Sequence, residues 1–315
     1  MLRRNFIQHT AALGAGLSAL STTAFSQVLP KERKFHMCLA PGKIGVDASQ
    51  RETLQLAHSY GFDSMVAFPS QLAKMSASEI QELLVKMKEQ GIKWGTAGLP
   101  IEFRKDRNTF EQDLAALPKM AQACETAGVK GMGTWILPMH DSLTYQENFY
   151  QTAERLAEVA MILGHYGIKL GLEYVAPKTM MVSRKFSFVR TLSELKELIE
   201  QIGKSNVGVV LDSFHWYCAG DTVTDILSLD KTDIVTCDLN DARPDLGPDK
   251  QIDGKRELPS ATGVIDLKAF LTALVQIGYD GPVRAEPFNK ALNELDNDAA
   301  VQATYEAMKR SIDLV

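Results

Sequence analysis

Several features that mark common protein classes are missing from this sequence, and each absence narrows the choice of function. No block of five or more lysines and arginines occurs and the net charge is −5, so neither a nucleic-acid partner nor an anionic membrane partner is expected. There is no CxxC pair and no Cys/His cluster at zinc spacing. The four cysteines stand apart in apolar surroundings, which predicts buried free thiols and no essential disulfide.

The sequence also lacks an apolar run long enough for a membrane anchor. Arg3 and Arg4 are followed by a small-residue apolar stretch at 11–20, which is roughly half of the ~18 residues that a membrane span needs. Residues 24–26, Ala-Phe-Ser, are typical of a cleavage site. Residues 1–26 therefore resemble a bacterial twin-arginine export signal, and we expect a periplasmic or secreted protein. Removing them takes the net charge to about −7.

What is present after the export segment is a regular alternation of strand and helix patterns. Apolar content of 45% and charged content of 23% are ordinary for a soluble globular protein. Residues 27–33 are interpreted as a linker and residues 34–315 as a single domain. The predicted strands are residues 34–40, 63–68, 92–98, 130–137, 168–175, 207–212, 233–239 and 282–288. Helical patterns lie between them, for example at 76–90, 147–166 and 191–203.

A glycine recurs where a predicted helix is followed by a predicted strand, and this repetition favours one fold class. Glycines in "SYGFDS", "EQGIKW", "TAGVKG", "HYGIKL" and "QIGYDGPV" have the position of a helix C-cap before an apolar strand. Eight such units without a change of composition predict an α/β fold, a closed (β/α)8 TIM barrel. An open doubly wound sheet is the alternative, but neither GxGxxG nor GxxxxGK occurs after an early strand.

Acidic residues end the fifth to eighth predicted strands. Chemistry in such barrels lies at the C-terminal ends of the strands, so these side chains should meet at one rim. They are Glu173, Asp212, Asp238 and Glu286. Four converging carboxylates repel one another unless a cation offsets them or some are protonated. Such an oxygen-rich site suits a divalent metal, with Mn²⁺ or Mg²⁺ as the expected ion.

This metal site predicts a chemistry. A cation there can bind two oxygens of an α-hydroxy carbonyl compound and stabilise the enediolate that forms when a carbon-bound proton leaves. Glu173 and Glu286, on different strands, are the candidate catalytic acid and base. Deprotonation on one face of the substrate and reprotonation on the other is epimerisation.

Further residues near the same rim are candidates for substrate binding. His215 follows Asp212 by three residues, and Glu102 and His140 follow the third and fourth predicted strands. Trp216 could line a sugar-binding wall, or it could pack under the following helix. Asp241, in "DLNDA", is more simply interpreted as the cap of the next turn.

At this point the motifs resemble those of a known family. "GLEYV", "VVLDSFHWYCAG", "DLNDA" and "GVIDLKAFLTALVQIGYDGPVRAEPF", in this order, are similar to the sugar phosphate isomerase/epimerase group of xylose isomerase-like TIM barrels. The resemblance covers roughly residues 34–315 and is most specific in the C-terminal half. It implies a divalent metal held by a Glu, an Asp, usually a His, and a second Glu. The group includes ketose 3-epimerases, inosose isomerases and dehydratases, hydroxypyruvate isomerase and 3-dehydroshikimate dehydratase.

Carried onto this sequence, the resemblance gives roles to individual residues. Glu173 matches the first glutamate, Asp212 the aspartate and Glu286 the second glutamate, while His215 matches a substrate-contacting histidine. For the family's substrate-binding arginine two positions compete, Arg243 and Arg256. The departure is Asp238, which stands where the family usually has a histidine ligand. An anion there favours hard cations and adds negative charge that opposes an enediolate.

The sequence therefore predicts a metal-dependent isomerase or epimerase that acts on a keto-sugar or a related polyol ketone, with a small carbohydrate as its partner and a homo-oligomer as a possible assembly. Export argues for an unphosphorylated substrate. One alternative is a lyase or dehydratase that eliminates a group from a 3-keto-glycoside or keto-polyol in the same site. A second alternative is a barrel that binds sugar without catalysis.

Overall fold

The computed structural model describes residues 32–315. The predicted export signal, residues 1–26, and most of the predicted linker, residues 27–33, lie outside the described residues. That division of the chain therefore stays a prediction. None of the helices in the described part is long and apolar enough to cross a membrane.

Eight parallel strands form a closed barrel, as the alternating pattern predicts. In chain order the strands are β1 (His36–Leu39), β2 (Ser64–Ala67), β3 (Lys93–Gly98), β4 (Gly131–Ile136), β5 (Met139–His140), β6 (Lys169–Tyr174), β7 (Phe186–Ser187), β8 (Val207–Asp212), β9 (Ile234–Leu239) and β10 (Pro282–Ala285). The order around the barrel is β1-β10-β9-β8-β6-β4-β3-β2, and β5 and β7 form a separate antiparallel pair. The eighth predicted strand ends three residues early, before Pro287, which has no N–H for a neighbouring strand.

Helices follow the barrel strands and cover the outside of the sheet. They are α1 (Gln50–Tyr60), α2 (Pro69–Leu72), α3 (Ala77–Gln90), α4 (Arg107–Ala127), α5 (Tyr145–His165), α6 (Lys178–Met181), α7 (Leu192–Ile202), α8 (Ser213–Ala219), α9 (Val223–Leu227), α10 (Leu267–Ile277), α11 (Lys290–Asn293) and α12 (Asn297–Ile312). Two single 3₁₀ turns lie at Pro41–Ile44 and Pro248–Lys250.

Local sequence signals explain where the longer helices start and stop. α1, α3, α5 and α7 each begin at a Ser or Thr whose side chain caps the helix, with a Glu three residues later completing a capping box. The five predicted helix-to-strand glycines all have positive φ, between 66° and 84°. Glycine has no Cβ to oppose this conformation, so the chain turns there into the next strand.

The main core lies between the barrel and its helices. Leu156 and Leu163 of α5 and Phe270 and Leu274 of α10 are fully buried there. Inside the barrel, glycines keep the lower part narrow. A Cβ on Gly208 would lie 2.3 Å from the Asp233 carbonyl oxygen, and one on Gly131 would lie 2.8 Å from the Val235 side chain.

Candidate active site

The barrel brings together the four carboxylates that end successive strands. Glu173 ends β6 beside Tyr174, Asp212 ends β8, Asp238 lies on β9, and Glu286 follows β10. One oxygen from each lies within 4.8 Å of the others, and all four residues are buried. Asp212 and Asp238 are direct neighbours in the β8–β9 register. The predicted convergence of four acids on one rim is present in the structure.

Basic side chains neutralise most of this charge, which the sequence analysis did not foresee. Arg256 Nη1 donates to Asp212 Oδ2 at 2.9 Å and to Glu286 Oε2 at 3.2 Å. Lys43, from the 3₁₀ turn after β1, forms an ion pair with Glu286 Oε1. Burial, and next the nearby Arg284, lower the pKa of Lys43. Glu286 therefore lies between two cations.

Asp238 is held by Arg284 in a two-point ion pair. Arg284 Nε bonds Asp238 Oδ1, Nη2 donates to Oδ2 at 2.9 Å, and Nη1 donates to Thr96 Oγ1 at 3.2 Å. Burial alone would lower the pKa of Arg284, but Asp238 raises it above its usual value, so the guanidinium stays charged. The pair is neutral as a whole. The additional negative charge expected from Asp238 is thus offset within the protein.

Glu173 differs from the other three carboxylates. Its Oε1 is buried and has no hydrogen-bond partner among residues 32–315. Desolvation by burial, followed by the neighbouring Asp212 and Asp238, raises the pKa of Glu173 well above its usual value. A buried carboxylate with a free oxygen and a raised pKa fits two roles, a metal ligand or a proton carrier.

His215 is buried against this group and is neutral. Its Nδ1 accepts a hydrogen bond from the Ala176 backbone N–H at 3.2 Å. Its Nε2 lies 3.1 Å from Arg256 Nη2 and 3.8 Å from Glu173 Oε1. Desolvation, and next the charge of Arg256, lower the pKa of His215 to about 3. The histidine predicted to contact substrate therefore faces the carboxylates as an uncharged ring.

Asn240 and Asp241, which directly follow β9, hold neighbouring parts of the site in place through hydrogen bonds. Asn240 Nδ2 donates to both oxygens of Asp212, at 3.1 and 2.9 Å, and Asn240 Oδ1 accepts from the Glu286 N–H at 3.1 Å. Asp241 accepts hydrogen bonds from four backbone N–H groups, those of residues 242, 262, 263 and 265. Asp241 is therefore scaffolding for the loop that follows Arg256.

A cavity of about 320 Å³ opens beside the carboxylates at the mouth of the barrel. Its charged lining comes from Lys43, Glu173 and Arg284, and its aromatic lining comes from Phe68 and Trp135. Trp135 is 42% exposed, so its ring forms part of the entrance. The volume is at the lower end of the range for small-molecule sites, which suits a ligand of monosaccharide size.

The structure separates the predicted substrate-binding residues into two groups. Arg256 and His215 lie in the carboxylate cluster, whereas Arg243 forms an ion pair with Asp245 at the surface. Of the two competing arginines, the structure thus places Arg256 in the site.

Three further candidates lie apart from the carboxylates. Trp216 is buried, donates from Nε1 to the Thr222 carbonyl and packs edge-on against Phe270, so of its two predicted roles these contacts agree with packing against a helix. The His140 Nδ1 accepts from the Ser142 and Leu143 N–H groups. His140 lines a separate cavity of about 270 Å³. Glu102 is 41% exposed and its nearest basic group is Arg104, at 3.5 Å. Neither residue contacts the carboxylate cluster.

Sequence reasoning missed Lys43, Arg284 and Asn240. Arg284 had a usable signal, because it lies two residues before Glu286 and alternation in a strand places both on the same face. Asn240 follows Asp238 at the same spacing. Lys43 lies in a loop after β1, where no periodicity fixes the direction of a side chain.

The residues present fit a divalent cation. Two observations support this fit. The buried Oε1 of Glu173 has no hydrogen-bond partner among the described residues, and the possible ligand atoms are carboxylate oxygens apart from the neutral ring of His215. Glu173, Asp212 and Glu286 could hold the ion. Both oxygens of Asp212 and of Glu286 also contact protein donors, whereas both oxygens of Asp238 accept from the single guanidinium of Arg284. The role of Asp238 as a ligand stays a prediction.

Comparison with known proteins agrees with this geometry. The inosose isomerase of Bacillus velezensis is 24% identical over 266 residues, which cover 82% of this chain and 91% of the relative. A xylose isomerase domain protein from Alicyclobacillus acidocaldarius is 29% identical in sequence, with a TM-score of 0.78 over 89% of this chain and 99% of that one. The IolI protein, solved with a zinc atom, has a TM-score of 0.73 and 23% identity over 89% of this chain and 98% of its own.

The family described as a xylose isomerase-like TIM barrel matches residues 54–311, a span that includes the four carboxylates, Arg256 and Arg284. The family match lies within the described residues 32–315 and leaves out β1 and the turn that carries Lys43. The chain belongs to the xylose isomerase-like TIM barrel family.

Proposed function

We propose that this protein is a divalent-metal-dependent isomerase or epimerase of an unphosphorylated keto-sugar or keto-polyol, with an inosose as the first candidate substrate. The enzyme class is supported by relatives that are named inosose isomerase, among them one from Bacillus subtilis that is 28% identical over 67% of this chain and 72% of its own length. A fold neighbour is a D-psicose 3-epimerase, with a TM-score of 0.67 and 18% identity.

The observation that carries the proposal is the state of Glu173. It lines the cavity, its Oε1 has no partner in the described part of the chain, and its pKa is raised by desolvation first and by Asp212 next. A raised pKa makes the ionised form of Glu173 a stronger base than an ordinary carboxylate, so its free oxygen could accept a proton from carbon. A purely structural glutamate would have both oxygens engaged by partners.

The other residues divide the remaining tasks. Glu286, held between Lys43 and Arg256, is the second carboxylate able to exchange a proton with the substrate. Asn240 fixes Asp212 and the start of the segment that carries Glu286. A bound cation would polarise the substrate carbonyl and so make the adjacent C–H more acidic. We propose Mn²⁺ or Mg²⁺, because the donors are carboxylate oxygens.

An unphosphorylated substrate follows from the charges of the site. Lys43, Arg256 and Arg284 each pair with at least one carboxylate, so their charges are already offset and they offer less attraction to a doubly charged phosphate group than unpaired cations would. The twin-arginine segment points the same way, and we propose that the protein acts in the periplasm or outside the cell. Fusing residues 1–33 to a reporter that folds before export tests this, since Arg3→Lys/Arg4→Lys should retain the reporter in the cytoplasm.

The test of the reaction is exchange of a carbon-bound proton with solvent. The purified protein, loaded with Mn²⁺, is incubated in D₂O with 2-keto-myo-inositol, D-fructose and D-psicose, and deuterium at carbon is followed by NMR. We expect exchange with at least one of them and loss of exchange in Glu173→Gln, which keeps the shape of the side chain. Absence of exchange with the whole panel, while a sugar still binds, would support the non-catalytic sugar-binding alternative.

A lyase is the second candidate, and the aromatic entrance favours it. Phe68 and Trp135 line the entrance next to the charged wall, and although Arg104 lies over one face of the Trp135 ring, the aromatic lining would suit an aglycone or another leaving group attached to the sugar. Elimination begins with the same proton abstraction, so Glu173→Gln would abolish both activities. Product analysis of a 3-keto-glycoside separates them, because elimination releases the aglycone whereas epimerisation conserves the mass of the substrate.

A further inference from the structure

The arrangement of Asp238 and Arg284 differs from what a metal ligand requires. Both oxygens of Asp238 accept from the guanidinium fork of Arg284, through Nε and Nη2. A fork of this kind uses the pair of oxygens that a chelated cation would also use, and it places a permanent positive charge beside them. Asp212 and Glu286 also contact Arg256 or Lys43, but neither of them is held by a two-point fork from one guanidinium.

Arg284 itself faces the space where a ligand would bind. It lies on β10 two residues before Glu286, it lines the cavity, and its side chain is 9% exposed. A guanidinium has five N–H donors. Three of them bond Asp238 and Thr96, which leaves one N–H on Nη1 and one on Nη2 without a partner among the hydrogen bonds of the described residues.

The surroundings of this guanidinium favour contact with an oxygen atom. Gly98 and Gly133, which line the same cavity, have no side chain that could cover it, and Val210 offers no acceptor. Glu173 is the carboxylate in this lining, and its Oε1 accepts from no donor of the described residues, Arg284 included. A buried charged donor that lacks acceptors is unfavourable, so a ligand that supplies oxygen lone pairs gains from meeting it.

We propose that Arg284 contacts the substrate, donating to the carbonyl oxygen or to an adjacent hydroxyl, and that Asp238 is a positioning residue for Arg284 rather than a metal ligand. The identity of the ligand as a keto-sugar rests on the proposed function, whereas the statement about Asp238 and the metal does not. In this arrangement Asp238 does not bind the metal ion. It orients the charged guanidinium of Arg284 towards the cavity.

The first experiment measures metal content. Parent, Glu173→Gln, Asp238→Asn and the double variant Asp238→Leu/Arg284→Met are loaded with Mn²⁺, dialysed and analysed for bound manganese. We expect the parent, Asp238→Asn and the double variant to hold equal amounts, and Glu173→Gln to hold less. The double variant replaces a buried ion pair by apolar side chains of similar size and so guards against misfolding of Asp238→Asn, which leaves Arg284 uncompensated. Loss of manganese from a folded double variant would overturn the proposal.

The second experiment measures sugar binding with 2-keto-myo-inositol. Losing hydrogen bonds from a charged donor should raise Kd or KM about 10- to 100-fold in Arg284→Met, with Arg284→Lys recovering only part because it lacks the fork. Arg107→Met removes a surface arginine that pairs with Glu111, and it should behave like the parent. An Arg284→Met enzyme with unchanged sugar affinity would overturn the substrate contact.

A double-mutant cycle tests whether Asp238 acts through Arg284. Asp238→Asn should raise KM more than it lowers kcat in the parent background and should have no further effect on KM in Arg284→Met. A purely structural role would give the same effect in both backgrounds, and that result would overturn the positioning role. If the parent binds none of the sugars, the proposed function fails, while the manganese content of the Asp238 variants still decides whether Asp238 is a ligand.

Discussion

At the scale of single residues, Arg256 and Arg243 show how burial determines the contribution of an ion pair to stability. Both follow β9 and both form ion pairs with aspartates. The Arg256 side chain is 1% exposed and contacts Asp212, Asp253 and Glu286, whereas the Arg243 side chain is 35% exposed and contacts a neighbour two residues away. Water screens the surface pair, but the buried arginine compensates acids that water cannot reach.

This contrast predicts the stability of two matched variants. Arg256→Met, measured in metal-free buffer, should lower the free energy of unfolding by about 3 to 5 kcal/mol, because removing one partner leaves buried charge uncompensated. Arg243→Met should change it by less than about 0.5 kcal/mol. Urea denaturation followed by circular dichroism measures both. Equal effects of the two substitutions would contradict the buried charge balance described here.

The same scale shows which site residues a sequence can reveal. Glu173, Asp212 and Glu286 could be predicted because each lies at or next to the end of a strand whose position follows from hydrophobic alternation. Arg243 and Arg256 could not be separated, because both lie in a long connection where no periodicity fixes direction. The fork between Arg284 and Asp238 needed the register of β10 on β9, which places these two residues side by side.

At the scale of elements, glycines on β3 and β4 leave room in the cavity because they have no side chains. Gly98 ends β3 and Gly133 lies on β4, and both line the cavity. A Cβ on Gly98 would meet no atom within 4 Å, so the space beside it is open. A larger residue at Gly98 would occupy room that a ligand needs without a clash that would disturb the fold, whereas a Cβ on Gly133 would lie 3.2 Å from the Val210 side chain.

Filling that space should therefore weaken binding without affecting stability. Gly98→Leu is expected to raise the Kd for 2-keto-myo-inositol at least about tenfold, because its side chain competes with the sugar for a cavity at the small end of the usual range. The melting temperature should stay close to that of the parent. Gly247→Leu, in an exposed turn where a Cβ also meets nothing within 4 Å, is the control. Unchanged sugar affinity in Gly98→Leu would place the binding site elsewhere.

Element prediction from sequence succeeded for the barrel strands for a physical reason. Each strand is a short apolar run that follows a glycine C-cap or a turn. The hydrophobic pattern and the turn residues therefore indicate the same strand positions. The short pair β5 and β7 was not predicted, since two residues cannot show a period. Trp216 was assigned two possible roles because a sequence does not show which face of α8 meets α10; the packing against Phe270 settles it.

At the scale of the whole molecule, closure of the barrel assembles the site from distant parts of the chain. β1 pairs with β10, with Cys38 opposite Arg284, and this pairing brings Lys43 next to Glu286. The carboxylates come from strands spread over more than a hundred residues, from Glu173 to Glu286. Partial unfolding of either half of the barrel would separate the charged groups, so the site forms only when the barrel is closed.

A ligand that binds such a site should stabilise the fold as a unit, and this gives a prediction for metal removal. Protein treated with EDTA is expected to melt at a lower temperature than protein with Mn²⁺, because an ion at 100 times its Kd adds about 2.7 kcal/mol to the folded state. For a chain of this size that corresponds to a shift of roughly 4 to 5 °C. Scanning calorimetry with and without Mn²⁺ measures it.

Two variants make this prediction specific to the cluster. Glu173→Gln should lose most of the Mn²⁺-dependent shift, because it removes the carboxylate whose oxygen has no other partner in the described residues. Glu125→Gln, an exposed acid on α4, should keep the whole shift. Mn²⁺ that stabilised all three proteins equally would be binding at the surface, and the three cations Lys43, Arg256 and Arg284 would then be sufficient to balance the buried acids without a metal.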